Sequence, residues 1–246
     1  MKKDHIGKEQ KQKIILFALM LTVFLLVLGG IIGMLHLARR SKTRQTMVTS
    51  DAEMQILQDL KDSMKDRQLT VILDAGHGGN DVGTGDETYW EKDINWDIVQ
   101  NMEKMLTYCG VEVLLTRNGD ETVLLDDRSA FANAHEEASY YISVHCNFCE
   151  GDSSVCGLEC YYWDGSEPGR AYAQAILSAA EDSGKISVRG LKTDNFHVLR
   201  ETKMPAVLVE TGYLSNPEDK KLLYDENYQK TLALYLTKGI VSGALQ

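Results

Sequence analysis

Residues 71–81 read VILDAGHGGND. Three apolar residues run into Asp74, and glycines then surround His77. A short apolar run bounded by glycines reads as a buried strand. Glycine-rich turns after strands cradle phosphate when the right partners follow. A P-loop needs Lys and Ser/Thr after its glycines, but Asn80 and Asp81 stand there. A dinucleotide fingerprint needs a third glycine where Asp81 sits. Two aspartates beside the turn also repel phosphate. The other use of such a turn is to hold His77 towards a metal.

Outward from this stretch, strand and helix patterns alternate. Strands are predicted at 69–74 (LTVILD), 111–117 (VEVLLTR), 139–145 (SYYISVH), 157–163 (GLECYYW), 196–200 (FHVLR) and 206–210 (AVLVE). Helical spacing of Ile94, Ile98, Met102 and Met105 predicts a helix over 93–108, ended by Gly110. Further helices are predicted over 125–137, 168–183, 217–223 and 226–244. The alternation implies a single α/β domain over 69–246, with a mainly parallel mixed sheet flanked by helices.

The first part of the chain differs in kind. Up to residue 44 there are nine Lys/Arg and two acids, which leaves 17 basic and 34 acidic residues beyond it. An acidic body of net −17 repels nucleic acid, so no nucleic-acid partner is expected. Residues 14–38 (IILFALMLTVFLLVLGGIIGMLHLA) hold 25 residues without a formal charge. That length and composition predict an uncleaved transmembrane anchor. No small-residue cleavage pattern ends the span, because His36 stands where one would be. The basic segment 1–13 precedes it, and a juxtamembrane stalk over 39–68 follows. Basic residues flank both ends, so charge does not set the orientation. Gly29 and Gly33 are spaced to pack two anchors into a dimer. In the stalk, Ser50 with Glu53 forms a capping-box pattern ahead of Ile56, Leu57, Leu60 and Met64. A short helix is expected there, whose apolar stripe either stands free or lies on the domain.

Four side chains suited to metal or proton chemistry fall at strand ends or a neighbouring helix start: His77, Glu91, His145 and Glu210. In an open α/β sheet such ends converge at one edge, where sites are built. His, Glu and His supply three ligands of a tetrahedral zinc with one position left for water. Glu210, closing an apolar strand, then serves as the carboxylate that moves the water's proton. The competing reading makes His77 a hydrogen-bonded structural residue.

The chain resembles the zinc-dependent N-acetylmuramoyl-L-alanine amidases of amidase type 3. The carriers are DAGHGG (74–79), EKDIN (91–95), TR (116–117), DRSAFAN (127–133), ISVHCN (142–147), GLECYYW (157–163), RGLK (189–192) and HVLRETKMPAVLVETGYLSNPED (197–219). The resemblance covers about residues 69–244. It implies Zn2+ held by His77, Glu91 and His145, with Glu210 as catalytic carboxylate. The implied substrate is peptidoglycan, cut between N-acetylmuramic acid and L-alanine, with the domain outside the cytoplasmic membrane. Asn147 is expected to orient His145 or to hydrogen-bond a peptide. Asp74 is expected to orient a histidine ligand from behind, or merely to form the turn. Arg117 and Arg128 are expected to tie loops to the sheet.

The chain departs from some relatives in two ways. The interval between His145 and Glu210 leaves no room for the inserted helix that plugs the zinc in some cell-division amidases. Four cysteines crowd around His145, at 146, 149, 156 and 160. They read as small buried residues, as a Cys149–Cys156 disulfide or as a second zinc site. Cys146 neighbours His145 on a strand and so points to the opposite face. The alternatives to an amidase are an inactive wall-binding or regulatory protein on the same fold, and a zinc hydrolase of another peptide amide. An inactive relative would be marked by loss of a ligand or of Glu210, and all four are present.

Overall fold

The computed structural model describes residues 17, 20, 21, 47–86 and 89–246. The chain divides into two compact units, Met1–Thr46 and Met47–Gln246. The expected anchor over 14–38, with its Gly29/Gly33 pair, lies outside the described residues apart from Phe17, Met20 and Leu21, which are helical and exposed. Among the described residues no helix is long and apolar enough to cross a membrane.

The second unit runs α1 (Asp51–Ser63), β1 (Thr70–Ala75), β2 (Gly85–Asp86), β3 (Tyr89–Trp90), α2 (Glu91–Cys109), β4 (Glu112–Leu115), α3 (Leu125–Ala134) and β5 (Tyr140–Asn147). It continues with β6 (Leu158–Tyr162), α4 (Glu167–Asp182), β7 (Val188–Thr193), α5 (His197–Glu201), β8 (Ala206–Tyr213), α6 (Pro217–Leu223) and α7 (Glu226–Ala244). Six strands form one sheet in the order β4-β1-β5-β8-β6-β7. Strands β4, β1, β5 and β8 are parallel, whereas β6 runs antiparallel to β8 and parallel to β7. This is the mainly parallel mixed sheet expected from the alternation.

Strand alternation sorts the core into two layers. Val71, Leu73, Ile142, Val144, Val207 and Val209 pack with Ile94, Ile98, Met102 and Met105 of α2 and with α4 and α7. Ile72, Tyr141 and Leu208 face the other way, onto Ala132 of α3 and Val198 and Leu199 of α5. His145 and Glu210 share the parity of Tyr141 and Leu208. Both therefore rise from that second, thinner face.

One expectation is corrected. Residues 196–200, read as a strand, fall on the helix α5 and its N-cap Phe196. Val198 and Leu199 are adjacent and both buried, which a strand with alternating faces cannot provide against one sheet. Residues 47–68, within the stretch 39–68 read as a stalk, belong to the compact unit, and the stripe of their helix lies on the domain, one of the two outcomes expected for it. The α1 helix is capped by Ser50, and Leu57, Leu60 and Met64 are buried in the main core. Glu53 accepts from Thr49 and from Lys185 Nζ (2.7 Å), so the helix is also pinned by a buried carboxylate.

Candidate metal centre

His77 stands one turn beyond β1, held at a positive φ of 62° between its glycines. His145 projects from the end of β5, and Glu91 opens the first turn of α2. One ligand atom from each lies within 4.8 Å of the other two. Glu91 Oε1 is 3.1 Å from His77 Nε2 and 3.0 Å from His145 Nδ1. The backbone is shaped to allow this approach. A Cβ added at Gly76 would fall 2.2 Å from the His145 ring, and one at Gly83 would fall 2.5 Å from Glu91 Oε2. The cradle thus fits a metal ion held by two imidazoles and one carboxylate.

Glu91 is buried, and burial alone would raise its pKa. The hydrogen bonds and charges of His145 and His77 outweigh that and hold it well below the usual carboxylate range. Thr84 donates to its Oε2 from both backbone N–H (3.0 Å) and hydroxyl (3.2 Å), and Cys146 N–H donates to Oε1 (3.2 Å). Burial likewise works against a charged His77, but Glu91 and Asp81 push its pKa up to about 9. Asp81 Oδ2 lies 2.9 Å from His77 Nδ1. A ligating histidine commonly presents its second nitrogen to such a carboxylate, which fixes the ring and its tautomer.

The carboxylate beside the His77 ring is Asp81, and of the two roles open to Asp74 the turn is the one its contacts serve. Asp74 is buried among Arg128, Thr116 and Ser143, whose hydroxyl donates at 2.7 Å. Its role passes through Arg128, which donates to the carbonyls of Ala75 (2.9 Å) and His77 (2.7 Å) and so clamps the turn. Arg117 does similar work, donating to Ala75 O and Lys92 O. Both arginines tie loops to the sheet, as expected. Asn147 does not orient His145. Its amide donates to Glu159 Oε2 (3.3 Å), and its carbonyl accepts from Phe148 N–H.

Glu210, on β8, stands in register beside His145. It is 8% exposed, and its Oε2 has no hydrogen-bond partner among the described residues. Burial, with the nearby Glu91 and Glu159 charges, pushes its pKa up to about 7 despite the two histidines. It lines a cleft with His77, His145, Asp81, Arg128, Leu124 and His197. Between His145 and Glu210 the only helices are α4, packed against α7, and the five-residue α5. No plugging helix is inserted there. The five cysteines are free thiols, so the Cys149–Cys156 disulfide is not formed. Cys146 and Cys160 lie in the main core, Cys146 on the face opposite His145.

The N-acetylmuramoyl-L-alanine amidase family model, amidase type 3, matches residues 71–242. The chain belongs to this family. Among curated amidases it is similar to the probable cell wall amidase LytH of Staphylococcus aureus, with 33% identity over 174 residues. That match covers 70% of this chain and 57% of the relative, so the chain spans a little over half the length of the curated relatives it matches. Among solved amidase structures it is similar to AmiC2 of Nostoc punctiforme, with 34% identity, TM-score 0.68, and 72% of this chain and 98% of that one covered. It is also similar to the CwlD amidase of Clostridioides difficile, solved in complex with the GerS lipoprotein. There the identity is 29%, the TM-score 0.67 and the coverage 72% and 98%.

Asp81 and Glu159 had escaped notice in the sequence. Asp81 was seen only as an obstacle to phosphate, although it stands four residues from His77 beyond a tight turn. Glu159 carries the same signal that marked Glu210, an acid inside an apolar strand.

Proposed function

We propose that this chain is a zinc-dependent N-acetylmuramoyl-L-alanine amidase that cuts peptidoglycan between N-acetylmuramic acid and L-alanine. The observation that carries the reading is Glu210, a buried carboxylate whose Oε2 has no partner among the described residues, beside the His77–Glu91–His145 group in a chain of the amidase family. Zinc held by those three side chains supplies a Lewis acid for the amide carbonyl and lowers the pKa of water from about 15.7 to about 7.

The chain's own residues do the rest. Ionised Glu210 accepts a proton at its free Oε2 as water adds to the carbonyl carbon. It delivers that proton to the L-alanine nitrogen as the C–N bond breaks. Burial raises this carboxyl's affinity for a proton, which helps it take the proton from water. Asp81 fixes the His77 ring, and Arg128 with Asp74 fixes the turn that carries it. The clustered side chains are thereby preorganised rather than gathered by the ligand.

Peptidoglycan lies outside the cytoplasmic membrane, so in this reading the apolar span 14–38 anchors the domain on the outer side with residues 1–13 inside. Protease treatment of intact, wall-stripped cells should then remove the domain, and full protection would contradict this placement. For the chemistry, the full-length chain carrying Glu210→Gln should keep its zinc and lose turnover, whereas His77→Ala should lose zinc. Undiminished activity in Glu210→Gln would overturn the assignment of the proton carrier.

A further inference from the structure

Glu159 on β6 stands directly opposite Glu210 on β8. Opposed residues of an antiparallel pair project from the same face, so the two carboxylates are neighbours. Nothing in the hydrolytic steps above uses Glu159. It is fully buried, yet three hydrogen-bond donors and two cations gather on it. Tyr161 Oη (2.7 Å), Tyr213 Oη (2.9 Å) and Asn147 Nδ2 (3.3 Å) donate to Oε2, while Arg189 Nε (2.8 Å) and Lys192 Nζ (2.5 Å) pair with Oε1.

The two cations come from β7, and the strand is bent to present both. Leu158 pairs with Val188 and Glu159 with Gly190, so Arg189 is the extra residue of a bulge. Bulges re-aim side chains, and here the bulge brings Arg189 onto the face of Glu159. Both cations remain open to solvent, Arg189 at 43% and Lys192 at 42%. Only Nε of Arg189 meets Glu159. Its guanidinium charge also reaches the exposed Asp152. A planar fork anchored on one side and open on the other is suited to a second carboxylate.

Position and charge say which carboxylate. His145, Glu210 and Glu159 form a row across β5, β8 and β6, and the cations extend it at β7. Strands lie about 4.8 Å apart, so the β7 backbone is about 10 Å along the row from Glu210, and the cation heads reach back from it to Glu159, about 5–10 Å from Glu210. An extended peptide advances about 3.5 Å per residue, so the cations lie about two or three residues from the cut bond. The sugar side of that bond has no free carboxylate, because the lactyl carboxyl is the one in amide linkage. The body beyond residue 44 has a net charge of −17, so an anionic peptide is disfavoured at long range and needs a local pair of cations such as this one.

We propose that Arg189 and Lys192 form a subsite for a carboxylate of the stem peptide, with Glu159 as the positioning residue that fixes them. This rests on the amidase reading and adds the peptide chemistry that the site prefers. Calorimetry with the full-length chain tests it on two probes, a stem peptide beginning with L-alanine whose carboxylates are free, and the same peptide with those carboxylates converted to amides. The free acid should bind about tenfold more tightly. Arg189→Ala and Lys192→Ala should each remove most of that preference, and Arg189→Lys should keep part of it. Equal binding of the two peptides by the unaltered chain overturns the proposal, as does a preference that survives Arg189→Ala. In hydrolysis, Arg189→Ala should raise KM for the free-acid stem about tenfold and move kcat less. A chain that prefers the free acid but hydrolyses neither substrate would sink the amidase reading and leave the subsite standing.

Discussion

Glu210 Oε2 has no donor among the described residues, so burial pushes the pKa of the carboxyl up to about 7. The sign of the consequence follows by linkage. In the chelator-treated chain, folded Glu210 holds a proton that the unfolded carboxyl, near 4.5, has already released. Stability should therefore fall as pH rises from about 4.5 to 7, by about 3 kcal/mol relative to Glu210→Gln. Urea unfolding of the two proteins across that range measures it, and parallel curves would contradict the buried, unpaired carboxylate. His77 carries the complementary expectation. With its pKa near 9, metal loading at neutral pH must displace a proton. Calorimetry in buffers of different ionisation heats should show that release, and no buffer dependence would contradict it. The sequence disclosed His145 and Glu210 because polar residues in apolar strands are costly to bury, and His77 and Glu91 because they stand in the turn after such a strand and at the next helix start. It did not disclose what Asp74, Asp81 and Asn147 touch. Each lies within hydrogen-bond reach of several groups, and only the fold chooses among them.

The elements place these side chains by backbone shape as much as by side-chain type. Gly76 lies under the His145 ring, and a methyl group there would fall 2.2 Å from it. Gly76→Ala should shift that imidazole and weaken metal affinity by about 10–100-fold, read by competition with a chelator. Retained affinity would show that the close approach is not required. Helix α2 was legible because its buried residues recur at helical spacing and Gly110 closes it with φ 88°. Helix α5 was not. In five residues neither period can declare itself, and packing of Val198 and Leu199 together on Leu208 decided it. Strand β7 also escaped, because it is an edge strand whose residues are all at least partly exposed.

Across the whole unit, the sheet carries the centre on one face and the main core on the other. Helix α1 joins that core although the sequence left its stripe open, since an amphipathic helix looks the same whether or not a partner surface exists. Leu57 is fully buried there, so Leu57→Ala should cost the entire unit about 2–5 kcal/mol in one cooperative transition. A loss confined to a separate early transition would show that α1 is an appendage. One assay reads out the proposed cleavage of peptidoglycan at L-alanine by a zinc-charged His77–Glu91–His145 group with Glu210. The zinc-loaded full-length chain is incubated with peptidoglycan, and new amino termini are identified. The expected result is L-alanine termini that disappear with Glu210→Gln while bound zinc is unchanged. Stoichiometric zinc without released L-alanine termini would contradict it.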